Sequence, residues 1–243
     1  YADEWLNKAM FHYRWRYEDD QMSASERFVE LMIPVWANKI PLLNRVLKRK
    51  FAATIRKRMI SRLWVVGSNT NTESQIEQSL NVFLHLSEQH LQDRPYFFGF
   101  RPSIADFGIW GQVYNMWTDP TVGQVIESSH PETLKWIKRM LYPKPEGEFE
   151  PWESLEATLM PILKKELADV FMPWLEANNK ALATGEKELS LKIKGKDFTH
   201  SVGSPQKYHA KSFAMLLEEY NDIPDKTKLD AVLQEAGLIS YFK

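Results

Sequence analysis

Ser103-Ile104-Ala105-Asp106, set between the apolar run Pro95-Tyr96-Phe97-Phe98-Gly99-Phe100 and the helical pattern Phe107 to Trp117, fixes a helix start inside an apolar part of the chain. The Ser103 hydroxyl can accept from the backbone N–H of Asp106 while the Asp106 carboxylate accepts from the N–H of Ser103. Two donors that a helix start leaves unpaired are then satisfied together. Both side chains of this capping box are consumed by the backbone, so Ser103 and Asp106 are read as structural rather than chemical. The helix they begin, Ser103 to Trp117, is expected to be the most buried of an all-α bundle.

The rest of the chain reads as almost entirely helical. Residues 1 to 20 form one expected helix and Ser23 to Asn38 a second, started at Ser23 or Ser25 with acidic Glu26 behind it. Pro41 restarts the chain into a long helix towards Trp64, which Val65-Val66-Gly67-Ser68 ends. Ile76, Leu80, Phe83, Leu84 and Leu91 recur at helical spacing over Ser74 to Leu91, and Asp93-Arg94-Pro95 breaks the pattern. A short helix starts at Pro131, Tyr142 to Pro151 is an exposed connector, and Trp152 to Leu182 is a long helical region bent or interrupted near Pro161 and Pro173. The period then changes. Leu189, Leu191 and Ile193 alternate with polar residues, and Lys194-Gly195-Lys196-Asp197 can turn the chain back towards Phe198 and Val202 as a small β-hairpin. Helices resume at the end, with Phe213, Leu216, Leu217 and Tyr220 on one face and Leu229, Val232 and Leu233 on another.

With 243 residues the chain can form one large domain, or one domain plus a small appendage. Lys and Arg number 31 against 32 Asp and Glu, so no global field favours nucleic acid or a strongly acidic partner. No apolar run reaches the length of a transmembrane segment, and the first residues lack the pattern of a secretory signal. The chain is therefore expected to be soluble. Zero cysteines exclude disulfides, a Cys nucleophile and thiolate metal sites within these residues, which fits the cytoplasm or another reducing intracellular compartment. Six scattered histidines without a partner at ligand spacing give no metal site, and no Ser-His-Asp order, Gly-rich phosphate loop or paired-carboxylate pattern stands out.

The longer string Arg94-Pro95-Tyr96-Phe97-Phe98-Gly99-Phe100-Arg101-Pro102-Ser103-Ile104-Ala105-Asp106-Phe107 resembles the box that begins the central buried helix in the C-terminal all-helical domain of glutathione transferases. His130-Pro131 through Trp136 to Arg139-Met140 resembles the helix that comes next in those proteins, and Asp3-Glu4-Trp5-Leu6 to Arg14-Trp15 their first long helix. The likeness covers residues 1 to 182. Residues 183 to 243, the hairpin plus helices, form a C-terminal extension that, from Gln206-Lys207-Tyr208 to Gly237-Leu238, is similar to a bacterial-type subgroup. The resemblance implies a glutathione-transferase C-terminal-like bundle whose partner, an N-terminal thioredoxin-like domain, binds glutathione as co-substrate and lies outside these residues. The chain begins without Met, already inside an apolar-periodic helix, and is expected to belong to a longer protein with roughly 80 to 100 further upstream residues. No catalytic residue and no cofactor is assigned within it.

By the same resemblance, the first helix walls the pocket for the electrophilic substrate. Tyr13, Arg14 and Tyr17 can offer a cation, hydroxyls and stacking surfaces on one side. Trp5, Phe11, Tyr13, Arg14 and Tyr17 are expected to be covered by the second domain or to border the cleft; the other reading, that Trp5, Phe11, Trp15 and Tyr13 pack in the core, stays open. Trp110, Tyr114 and Trp117 share a stripe on the capped helix. Trp110 and Tyr114 join the candidate pocket, with core packing again the alternative. Between Glu30 and Glu73 there is no acidic residue, while Lys39, Arg45, Lys48, Arg49, Lys50, Arg56, Lys57, Arg58 and Arg62 supply nine cations. These are solvated helix faces, or they dock an anionic substrate or partner, an acidic lipid surface included, over residues 39–62; nucleic acid is less favoured because no reading module surrounds them. The expected function is thiol conjugation of an electrophile, with this chain as the substrate-side domain. The alternative is a non-catalytic binding or scaffolding subunit, and a homodimer or larger assembly is compatible with both.

Overall fold

The computed structural model describes residues 1–33, 41–203 and 206–243. The expected helix end at Asn38 and the cation Lys39 lie outside them. The chain opens with a π-helical turn, Ala2–Leu6, that runs into α1 (Asn7–Arg16). Tyr17 is extended, and α2 (Glu18–Met32) starts behind it with Glu18, Asp19 and Asp20 in its first turn, the charge that suits a helix N-terminus. The helix expected over residues 1 to 20 is thus broken at Tyr17, and Ser23 and Ser25 lie inside α2 instead of starting it. α3 (Pro41–Ile60) returns antiparallel to α2, Lys48 pairing with Glu30 near one end and Arg56 reaching Ser25 near the other. Gly67, at φ 71°, closes the 3-10 turn Leu63–Val66 beyond α3.

The main core gathers around α4 (Glu73–His90), which buries Ile76, Leu80, Phe83, Leu84 and Leu86. α5 (Ile104–Trp117), α6 (Pro120–Ser129) and α7 (Pro131–Arg139) pack against one another in sequence order, and α7 packs against α4. Both bonds of the capping box form: Asp106 N–H donates to Ser103 Oγ at 3.3 Å, and Ser103 N–H to Asp106 Oδ2 at 2.9 Å. Asp106 is fully buried, and its Oδ1 also accepts the Phe97 N–H at 2.9 Å and the Trp136 indole N–H at 3.0 Å. The helix it starts is nevertheless not the most buried. Only Asp106, Val113 and Met116 of α5 are buried, whereas nine residues of α4 are. The expectation for α5 fails because α1, the opening π turn, α6 and α7 cover it incompletely, leaving Ile104 and Phe107 at its head in solvent.

Helices are capped across the fold as well as locally. Glu88 of α4 accepts the Glu132 and Thr133 N–H groups at the start of α7, both at 2.9 Å, and Asp20 of α2 accepts the Thr121 N–H at the start of α6, also at 2.9 Å. α8 (Trp152–Ile162) continues into a π-helical segment, Leu163–Phe171, and then α9 (Met172–Thr184). The interruption expected near Pro161 and Pro173 is this widened stretch. β1 (Glu188–Ile193) and β2 (Lys196–Ser201) pair antiparallel with Leu191 opposite Phe198, and the two-residue turn Lys194-Gly195 has φ of 51° and 80°. α10 (Gln206–Asp222) and α11 (Thr227–Glu235) close the chain. Leu189, Ile193, Phe198, Tyr220 and Leu233 belong to the same core as the helices before them, so the extension is packed into the bundle. Among the described residues no helix is long and apolar enough to cross a membrane.

Asp106→Ala strands the Phe97, Ser103 and Trp136 donors inside the protein. Chemical denaturation should show a loss well beyond the ~1 kcal/mol of an exposed cap, about 3 kcal/mol or more. Trp136→Phe, which removes one donor and keeps the packing, should lose less.

Candidate functional site

α8, the π segment, α10 and α11 do not close on one another. Between them lies a cavity of about 790 Å³, lined on one side by Leu159, Leu163, Leu167 and Phe171 and on the other by Leu216, Leu229, Val232 and Leu233. Trp152, Phe98, Tyr1 and Phe242 complete the wall, and Glu153, Glu156, Glu235 and Lys228 stand among these apolar groups. Leu163, Leu167 and Phe171 share the cavity side at a spacing of four, while Glu166 and Val170 of the same segment are fully buried. A widened i→i+5 turn is a frequent element of binding sites. The volume and the apolar lining suit a compact hydrophobic molecule.

Behind the cavity Glu166 accepts from Ser79 Oγ, from Lys194 Nζ at 3.3 Å and from the Tyr1 hydroxyl at 3.2 Å, and Trp5 donates to Ser79 Oγ at 2.8 Å. Burial raises the Glu166 pKa, opposed by the Ser79 and Lys194 donors. Burial, with Glu166 beside it, holds the Tyr1 phenol far above its ordinary range, so its hydroxyl stays protonated as a donor. The node therefore anchors the π segment and the hairpin. A second polar cluster joins α1 to α9 and β2. Lys8 is buried, its Nζ 4.1 Å from the centre of the Trp174 ring, and desolvation lowers its pKa to about 7. Trp174 donates to His200 Nδ1 at 3.2 Å, leaving His200 Nε2 to donate to the Val65 carbonyl at 3.0 Å. Burial, then the neighbouring Lys8 charge, push the His200 pKa down to about 3.

The five candidate pocket residues are not brought to one place. Tyr13 and Tyr17 stack at 5.6 Å, and Tyr17 donates to Glu77 of α4. Arg14 turns away from them; its Nε donates to Asp119 at 2.7 Å and its Nη2 to the Asn115 carbonyl at 2.8 Å. Trp110 and Tyr114 stack at 4.8 Å on the side of α5 that meets α7, the Trp110 indole donating to the Ile137 carbonyl at 3.0 Å. None of the five lines the large cavity. Nor does the first helix present a large apolar patch: Trp5, Tyr13, Arg14 and Trp15 are buried within this chain, and of its apolar and aromatic side chains from Trp5 onward Met10, Phe11 and Tyr17 are partly exposed. The cavity residues carried no local signal beyond the apolar faces of α10 and α11, because they come from segments far apart in sequence. No family model, curated protein or solved structure matches the chain.

A neutral environment-sensitive dye such as Nile red should bind the cavity, and Leu167→Trp or Val232→Trp, each filling it, should weaken binding about tenfold in a fluorescence titration. The second cluster sets a pH dependence. Lys8 and His200 both have folded-state pKa values below their unfolded ones, so the unfolded chain binds the extra proton between about 7 and 10.4 for Lys8 and between about 3 and 6.5 for His200. Stability then rises with pH through each window, by at most about 1.4 kcal/mol per pH step per group. Lys8→Met should flatten the upper rise and His200→Gln should lessen the lower one, to which His12 and His90, also lowered by burial, contribute as well; both are read from denaturation midpoints across pH.

Proposed function

We propose that this chain is the substrate-side helical domain of a glutathione-transferase-like protein. A thioredoxin-like domain of the same protein binds glutathione as co-substrate and activates its thiolate, and this domain holds the electrophile. The observation that carries the reading is the contact between the two strings on which the resemblance rests. The Trp136 indole, from the string His130 to Met140, donates to Asp106 of the capping-box string at 3.0 Å. Two features support it further. The apolar cavity suits an acceptor molecule, and Phe100, Ile104 and Phe107, respectively 40%, 91% and 50% exposed at the head of α5, offer an apolar seat for a second domain. In this reading the cavity, rather than Tyr13, Arg14, Tyr17, Trp110 and Tyr114, takes the acceptor.

A second reading, a binding or scaffolding subunit without transferase activity, is favoured by the exposed cations of α3, which suit an anionic partner. The two readings separate in one experiment on the full-length gene product, with this chain alone as control. Conjugation of glutathione to a chloronitrobenzene should require the full-length protein. Val232→Trp in the full-length protein should raise KM for the acceptor severalfold and leave KM for glutathione unchanged. Conjugation by this chain alone, or a full-length protein inert with glutathione, contradicts the transferase reading.

A further inference from the structure

Among the described residues α3 packs against α2 and α1. Ala52, with Leu47 and Ile55, packs against Val29 and Ile33 of α2 in a small core separate from the main one. The opposite side faces solvent. Val46, Ala53 and Ile60 run down it at a spacing of seven, all exposed, Val46 by 54% and Ile60 by 39%. Lys50 and Lys57, also exposed, lie beside them on the same side of the helix, and Arg49, exposed as well, stands at the edge of that side, where it also lines the groove shared with Glu26 and Glu30 of α2. Arg45 and Arg58 extend the positive face at its edges. None of these five cations has a carboxylate partner among the described residues; Glu30 of α2 is taken by Lys48. No acidic residue interrupts the sequence between Glu30 and Glu73.

We infer that the outer face of α3 docks on an anionic lipid surface, the helix lying in the plane of the headgroups with Val46, Ala53 and Ile60 turned into the acyl boundary and the cations among the phosphates. A helix that lies in an interface needs an apolar line flanked by Lys and Arg, and this face supplies both. Charge alone would suit any polyanion. The aliphatic centre line decides between them, because a phosphate backbone in water has nothing to receive it, and single-stranded nucleic acid is held by aromatic platforms that this line does not contain. The inference deepens the assignment of an anionic partner to this segment. It is independent of whether the protein conjugates glutathione, since α3 takes no part in the cavity.

Co-sedimentation of this chain with vesicles of phosphatidylcholine and phosphatidylserine, compared with phosphatidylcholine alone, tests it. Binding should require phosphatidylserine and weaken with added salt. Arg49→Gln with Lys50→Gln and Lys57→Gln should lower the affinity about a hundredfold. Val46→Ser with Ile60→Ser, which keeps every charge, should lower it about tenfold. Circular dichroism should show the helix content of both variants unchanged, as expected for exposed positions. Three results would overturn the inference: no binding to the anionic vesicles, binding indifferent to the aliphatic pair, or polyuridylate bound as tightly as the vesicles with the same sensitivity to both variants. The last would keep an anionic partner and remove the bilayer.

Discussion

The Asp106 carboxylate ties together three parts of the chain, the segment at Phe97, the start of α5 and the Trp136 turn of α7, at a single buried point. Oδ2 takes the Ser103 backbone and hydroxyl, and Oδ1 takes the Phe97 backbone and the Trp136 indole. A buried carboxylate without donors costs several kcal/mol, so the fold that supplies four of them is selected against every arrangement that supplies fewer. Once the start of α5 is held there, the length of that helix places the residues beside it. Gly108 comes close enough to Ala2 that a Cβ on it would stand 3.6 Å from the Ala2 Cβ, and Asn115 arrives beside Arg14. α5 thus runs beside the opening π turn and beside α1.

The same device recurs with longer reach. Asp119 accepts from both Arg14 and Arg27, Asp20 caps α6, and Glu88 caps α7. What separates these from the box at Ser103 is distance along the chain. Ser103 and Asp106 are three residues apart and can be paired by inspection. Glu88 and Thr133 are 45 apart, and Arg14 and Asp119 are 105 apart. In sequence, Glu88 and Asp20 look like ordinary surface acids and Arg14 like a free cation in an aromatic helix. The partner that Arg14 takes, Asp119, stands too far along the chain for local spacing to show it.

Periodicity succeeded where one face decides burial. The alternation of Leu189, Leu191 and Ile193 and the Lys194-Gly195 turn specify the hairpin almost unaided, because a slip of one residue would put Leu189 and Ile193 in water. It failed where burial depends on what is left to cover a surface. α5 is apolar nearly all round, a pattern that ordinarily marks a fully enclosed helix. Whether the Ile104 and Phe107 side is covered depends on elements that turn elsewhere, and no window of sequence contains that information. α6 is hard to read for a related reason: Val122, Gly123 and Ile126 are its buried positions, too few in ten residues to set a period.

The cavity owes its wall to the way the chain passes two prolines. Pro161 and Pro173 each lack an N–H, and a regular helix crossing both would leave carbonyls unpaired. The stretch between them widens instead, and the Met172 N–H, next to Pro173, donates five residues back to Leu167. That widened segment presents Leu163, Leu167 and Phe171 to the cavity while its other side carries Glu166 into the bundle. Glu166 in turn grips Lys194 at the hairpin turn and, through Ser79, the Trp5 indole. The wall that a ligand would touch is therefore the wall that fixes the hairpin to the first helix. An occupant of the cavity would bear on a segment already held from behind by the buried node, which is what a preorganised binding surface requires.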